Sequence, residues 1–156
     1  MPSGNILEDV ESLHPKSLLF VDDSDEDYEM FLRAVKKAGF KFPMMRCESG
    51  EKALAVLGDR QANVEPPNFA KPALILLDLN LPGLDGLHIL NTIKSHPQLK
   101  LIPVVIFSTS SNPKDVRNCY QSGANAYVIK PMDVSLLQKC VQAILTHWLD
   151  VNITCI

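Results

Sequence analysis

The chain has 156 residues, 46% of them hydrophobic, and a formal net charge of −3. That suits one compact domain with a full core and leaves little room for a second. Lys and Arg form no basic face of the kind nucleic-acid binding requires, and no apolar run approaches the length of a membrane span. The opening "MPSGNILEDVESLHPK" lacks the regions of a signal peptide. The four cysteines, Cys47, Cys119, Cys140 and Cys155, show no CxxC and no His at zinc spacing. They read as reduced thiols in a cytoplasmic protein.

In chain order, residues 1–16 read as an N-terminal arm, with Ile6, Val10 and Leu13 on one short amphipathic turn and disorder expected. "SLLFV" (17–21) is a continuous apolar run, as expected of a strand buried on both faces. Tyr28, Phe31, Leu32, Val35 and Ala38 then recur at helical spacing, and Gly39 stops that helix. Ser24 and Asp27 are spaced for a capping box at its start. "PMMRC" (43–47) is a weaker strand, followed by a helix near 50–58. The segment 59–73, with Pro66, Pro67 and Pro72, reads as a surface loop. Strands "ALILL" (73–77), "PVVIF" (103–107) and "AYVIK" (126–130) alternate with helices near 86–95, 113–122 and 134–149, and 150–156 form a tail. Five strand-then-helix repeats predict a single α/β domain over 17–149. It is a doubly wound, flavodoxin-like (βα)5 unit whose five-stranded parallel sheet carries helices on both faces.

The polar residues fall where such a sheet builds its sites. Asp22 and Asp23 follow the first strand, Asp78 the third, Ser108 the fourth and Lys130 the fifth. These are all carboxyl ends of parallel strands. Singly, each has a plainer reading: acidic residues at a helix start are common caps, and Ser or Lys-Pro after a strand is usually a turn. Together they define a pocket. Converging carboxylates repel one another unless a cation lies between them. An all-oxygen set without His or Cys selects a hard ion such as Mg²⁺. Lys130 adds a second positive charge, and an Asp carboxylate can itself attack phosphorus to form an acyl phosphate.

"LLFVDDS", "LILLDLNLPGLDG", "VVIFSTS" and "GANAYVIKPM" occur in this order, and roughly residues 16–149 resemble the receiver domain of two-component response regulators. The resemblance implies that Asp78 is the phosphoacceptor. It implies that Asp22, Asp23, Asp78 and the backbone carbonyl of Asn80 hold Mg²⁺, with Asp23 a direct ligand. Ser108, with Thr109 beside it, would be the switch hydroxyl, Tyr127 the switch aromatic and Lys130 the phosphate's counter-ion. A cis peptide before Pro131 is also implied. The 59–73 loop, "SHPQLKLIPVVIFSTSSNPKDV" and "HWLDVNI" look like the small receivers that serve bacterial phytochromes.

A phosphoryl group arriving from a sensor histidine kinase would draw Ser108 inward and let the Tyr127 ring follow. The readout is then expected on the face of the fourth helix, fifth strand and fifth helix, with a phosphotransfer protein as a further partner downstream. In the last helix Leu137, Val141, Ile144 and Trp148 form one stripe, and Leu136, Cys140, Leu145 and Leu149 another. Two stripes exceed what a monomer needs, so the first predicts a homodimer interface. Since the receiver fills the chain, output is expected through protein contacts, and the protein is read as a signalling phosphoacceptor rather than an enzyme. A dehalogenase-type phosphohydrolase resembles this pattern but needs an acid at the position of Asn80. A nucleotide binder needs a glycine-rich first turn where this chain has "DDSDED". A receiver fold that takes no phosphate is the remaining reading, and it usually shows a lost signature residue.

Overall fold

The computed structural model describes residues 16–58 and 71–155. The arm expected over 1–16 lies, apart from Lys16, outside the described residues, as does the 59–73 loop up to residue 70. Five strands form one sheet: β1 (Leu18–Val21), β2 (Met44–Cys47), β3 (Leu74–Leu77), β4 (Val104–Ser108) and β5 (Ala126–Ile129). Their order is β2-β1-β3-β4-β5, and every pairing is parallel. The intervening helices are α1 (Asp25–Ala38), α2 (Gly50–Val56), α3 (Gly86–Ser95), α4 (Pro113–Gln121) and α5 (Val134–Leu145).

Alternation along the strands divides the core in two. Leu19, Val21, Ile75, Leu77, Val104 and Ile106 face α2, α3 and α4, packing on Leu54, Ile89, Ile93 and Cys119. Leu18, Phe20, Leu74, Leu76, Val105 and Phe107 face α1 and α5, packing on Phe31, Val35, Val141 and Leu145. With both faces covered, the strands are continuously apolar, as parallel strands must be. The order reverses between β1 and β3, so a crevice opens at the carboxyl ends of those two strands.

Three expectations are corrected. Leu137, Val141 and Ile144 are buried against the sheet together with Leu145 and Leu149. That stripe is therefore the core face of α5, not a dimer interface, and Trp148 lies half-buried at its end. The large apolar residues α5 leaves exposed are Val134 and Leu136. The helix also runs further than expected, continuing as a π-helical turn over Thr146–Val151. Second, no described peptide bond is cis, so the bond before Pro131 is trans. The trans form is the intrinsically favoured isomer, and Lys130 reaches the crevice from it. Third, the capping box is half made. Ser24 Oγ accepts from the Asp27 amide at 3.1 Å, but the Ser24 amide donates to Asp22 Oδ1 at 2.9 Å. The Asp27 carboxylate is committed elsewhere.

Candidate functional site

The backbone ladder continues past the strand ends and so fixes where the polar side chains start. Val21 is in register with Leu77, which makes Asp22 and Asp78 neighbours. The Asp78 amide donates to the Val21 carbonyl at 3.0 Å, and the Lys130 amide to the Ser108 carbonyl at 2.8 Å. Asp22, Asp78, Ser108 and Lys130 are all buried. Lys130 Nζ lies 2.6 Å from Asp22 Oδ2, 2.9 Å from Asp27 Oδ2 and 3.0 Å from Asp78 Oδ2. Its Nζ lies over the Phe107 ring, 5.7 Å from the ring centre. Asp78 Oδ1 accepts from the Asn80 amide at 3.2 Å, a local turn bond that aims the carboxylate.

Three carboxylates around one ammonium leave the crevice with excess negative charge. Burial pushes the Asp22 carboxyl up from its ordinary value, outweighing the Lys130 hydrogen bond and the Ser24 amide, which favour the anion; the Asp78 charge adds to the rise. Burial opposes the Lys130 ammonium, yet the hydrogen bonds to Asp22 and Asp27 and the charges of Asp78 and Asp22 hold its pKa above that of a free lysine. Oxygens of Asp22, Asp27 and Asp78 all lie within 4.8 Å of one another. An all-carboxylate set with unneutralised charge fits a hard divalent cation such as Mg²⁺.

Not every expected residue joins this cluster. Asp23 is exposed at the rim, and its carboxylate is not part of the close-set group. Thr109 is exposed beside Ser108. Ser108 is fully buried, and its hydroxyl accepts from the Ser110 amide at 3.3 Å. Tyr127 is half-buried and reaches the same loop, its hydroxyl donating to the Ser110 carbonyl at 2.8 Å. The Ser110 hydroxyl donates to Asp115 at 2.6 Å. The Ser108 and Tyr127 hydroxyls are therefore both bonded to the backbone of one residue, Ser110.

Two further residues shape the crevice. Asp27 is the third partner of Lys130, placed by the first turn of α1. Arg46, the charged residue of β2, donates from Nε to the Asp22 carbonyl at 3.2 Å and from Nη1 to Asp25 at 2.6 Å, and lies 5.0 Å above the Tyr28 ring. It pins the acidic loop to the sheet. A lone Arg in the strand beside β1 was a signal open to reading; the Asp27 carboxylate was hidden behind its part in the cap.

Residues 18–142 match the response regulator receiver domain model. The chain belongs to the response regulator receiver family. It is 39% identical over 140 residues to the response regulator Rcp1 of Synechocystis, spanning 90% of this chain and 93% of that protein. Among solved structures, the phosphorylated cyanobacterial phytochrome response regulator RcpA superposes with a TM-score of 0.82 at 35% identity, covering 90% of this chain and 99% of RcpA. The Mn²⁺-bound form of Rcp1 also gives 0.82, at 37% identity over 91% of this chain and all of that one (100%). Receiver domains bind Mg²⁺ at an acidic pocket, and a histidine kinase is the partner that family membership implies. Among the described residues no helix is long and apolar enough to cross a membrane.

Proposed function

We propose that Asp78 accepts a phosphoryl group from the phosphohistidine of a sensor kinase, and that the protein signals by the change in its contacts that follows. The observation that carries this reading is the buried Asp22–Lys130–Asp78 cluster, with Ser108 at the end of the neighbouring strand. Asp78 attacks phosphorus, the N–P bond to the kinase histidine breaks, and a new O–P bond leaves an acyl phosphate on the aspartate. Asp22, Asp23, Asp78 and the Asn80 carbonyl are the residues proposed to hold Mg²⁺. When bound, the ion neutralises charge on the phosphoryl oxygens.

Lys130 is the counter-ion of the transferred group. Ser108, with Thr109 adjacent, turns its hydroxyl toward the new acceptor and gives up the Ser110 amide. Ser110 also holds the Tyr127 hydroxyl, so that exchange frees the aromatic to move. Likeness to RcpA, a phytochrome response regulator, supports a phytochrome-type kinase as the donor; a cytoplasmic location and a phosphotransfer protein downstream belong to the same proposal. Exposed Ile129, Met132, Val134 and Leu136 lie along edge strand β5 and the start of α5. They support a homodimer through this face, in place of the buried stripe. Sedimentation of Leu136→Glu should show monomer where the parent shows dimer.

Intact-mass spectrometry after incubation with Mg²⁺ and acetyl phosphate tests the central reading. One added phosphate on the parent, none on Asp78→Asn and none without Mg²⁺ is the expected outcome. Phosphate elsewhere, or equal labelling of the variant, refutes it.

A further inference from the structure

Lys130 has three N–H donors, and three carboxylates take them, at 2.6, 2.9 and 3.0 Å. A phosphoryl oxygen on Asp78 therefore reaches the ammonium only by displacing a partner it already has. The three are not equally held. Asp22 and Asp78 sit on strand ends, with side chains 2% and 9% exposed, while Asp27 sits on the first turn of α1 and is 37% exposed. A carboxylate that is already partly hydrated loses least on being released to water. Asp27 is thus the exchangeable partner.

We infer that Asp27 is a positioning residue that holds Lys130 in the resting state and sets the threshold for phosphoryl capture. This rests on the reading of Asp78 as phosphoacceptor. The resting ammonium is saturated, and the incoming group competes with Asp27 for it even as Asp78 gives up its own contact on becoming an acyl phosphate. Asp27 disfavours the phosphorylated state twice, by competing for Lys130 and by adding negative charge beside the new phosphate. Removing the carboxylate removes both effects.

The test is binding of beryllofluoride, an unreactive stand-in for the phosphoryl group, to the full chain at saturating Mg²⁺, followed by ¹⁹F NMR titration. Asp27→Asn should bind about fivefold more tightly than the parent, the scale of a partly exposed ion pair with a charged hydrogen bond. Glu26→Gln is the control, because it removes the same charge from the same exposed helical turn without touching Lys130. Its affinity should stay within about twofold of the parent on the same scale. Asp27→Glu, which restores the charge, should return toward the parent. An Asp27→Asn affinity equal to or weaker than the parent overturns the inference, and so does an equal gain from Glu26→Gln, which would reduce the effect to net charge. A parent chain that gives no bound ¹⁹F signal refutes the phosphoacceptor reading itself, and the two failures are thereby told apart. Thermal unfolding of each variant shows that the fold is intact.

Discussion

Gly86 is where α3 meets the loop that carries Asp78, and its missing side chain is a matter of space. A Cβ at this position would lie 2.2 Å from the Asp78 carbonyl oxygen and 2.6 Å from the Leu79 Cα. Both are backbone atoms, so no rotamer change makes room. To restore an ordinary contact of 3.4 Å the first turn of α3 must withdraw by about 1 Å. That strains the Gly86 amide bond to the Leu79 carbonyl, 3.0 Å, and the adjoining Asp85 cap on the His88 amide, 2.9 Å. Gly→Ala inside a helix ordinarily stabilises by up to about 1 kcal/mol. Overpacking costs about 1–3 kcal/mol and the weakened hydrogen bond about 1 kcal/mol more. Gly86→Ala should thus be destabilised by about 2 kcal/mol, read as a lower urea midpoint. Phosphorylation by acetyl phosphate should fall at least about tenfold, because Asp78, the proposed nucleophile, and α3 are pushed apart by a distance that matters for attack. Gly39→Ala is the comparison: φ there is 78° and nothing lies within 4 Å, so strain alone operates, far from the site. A Gly86→Ala protein with the parent's urea midpoint and phosphorylation rate would refute this reasoning.

Lys130→Met leaves the Asp22, Asp27 and Asp78 carboxylates without their shared counter-ion, and should lower stability by about 3 kcal/mol in metal-free buffer. Mg²⁺ should recover more stability in this variant than in the parent; equal urea midpoints without metal would count against the charge argument. Tyr127→Phe loses the hydrogen bond to the Ser110 carbonyl and should cost about 1 kcal/mol in urea unfolding while leaving phosphate uptake by mass unchanged. Burial pushes the thiols of Cys47 and Cys119 up from 9.0 to about 11. The unfolded chain therefore ionises first, the folded state holds more protons between pH 9 and 11, and stability falls as pH rises through that window. The slope is about 1.4 kcal/mol per thiol per pH unit. Urea melts from pH 8 to 10.5 should show a flatter decline for the Cys47→Ala, Cys119→Ala double variant, and equal declines would refute it.

The sheet was legible because burial on both faces leaves a plain mark: "ALILL" and "PVVIF" have no polar residue to hide. Helix starts were legible for a similar reason. Ser24, Ser49, Asp85, Asn112 and Asp133 each accept from an amide two or three residues on, a short-range bond that depends on local spacing. The face of α5 was not legible. Leu137, Val141 and Ile144 repeat at helical spacing, but so do Leu136 and Cys140, and periodicity alone does not say which stripe meets the sheet. Packing against Leu74, Leu76 and Phe107 decides that, and those contacts are distant in sequence.

The site divides along the same line. Asp22, Asp78, Ser108 and Lys130 were readable because each directly follows or ends a strand, and the ladder that aligns the strands also aligns these residues. Asp27 was not. Its amide serves the N-terminal cap of α1 while its carboxylate serves Lys130, 103 residues away. A local pattern accounted fully for the residue's presence and so concealed its second use. Asp23 shows the converse: adjacent to Asp22 and identical in chemistry, it is exposed because successive residues leaving a strand point in opposite directions. Chemistry chooses which residue types a phosphoryl site needs, and pleat and helix phase choose which copies face inward. The acidic loop "DDSDED" supplies five carboxylates, and the fold aims two of them, Asp22 and Asp27, at the ammonium.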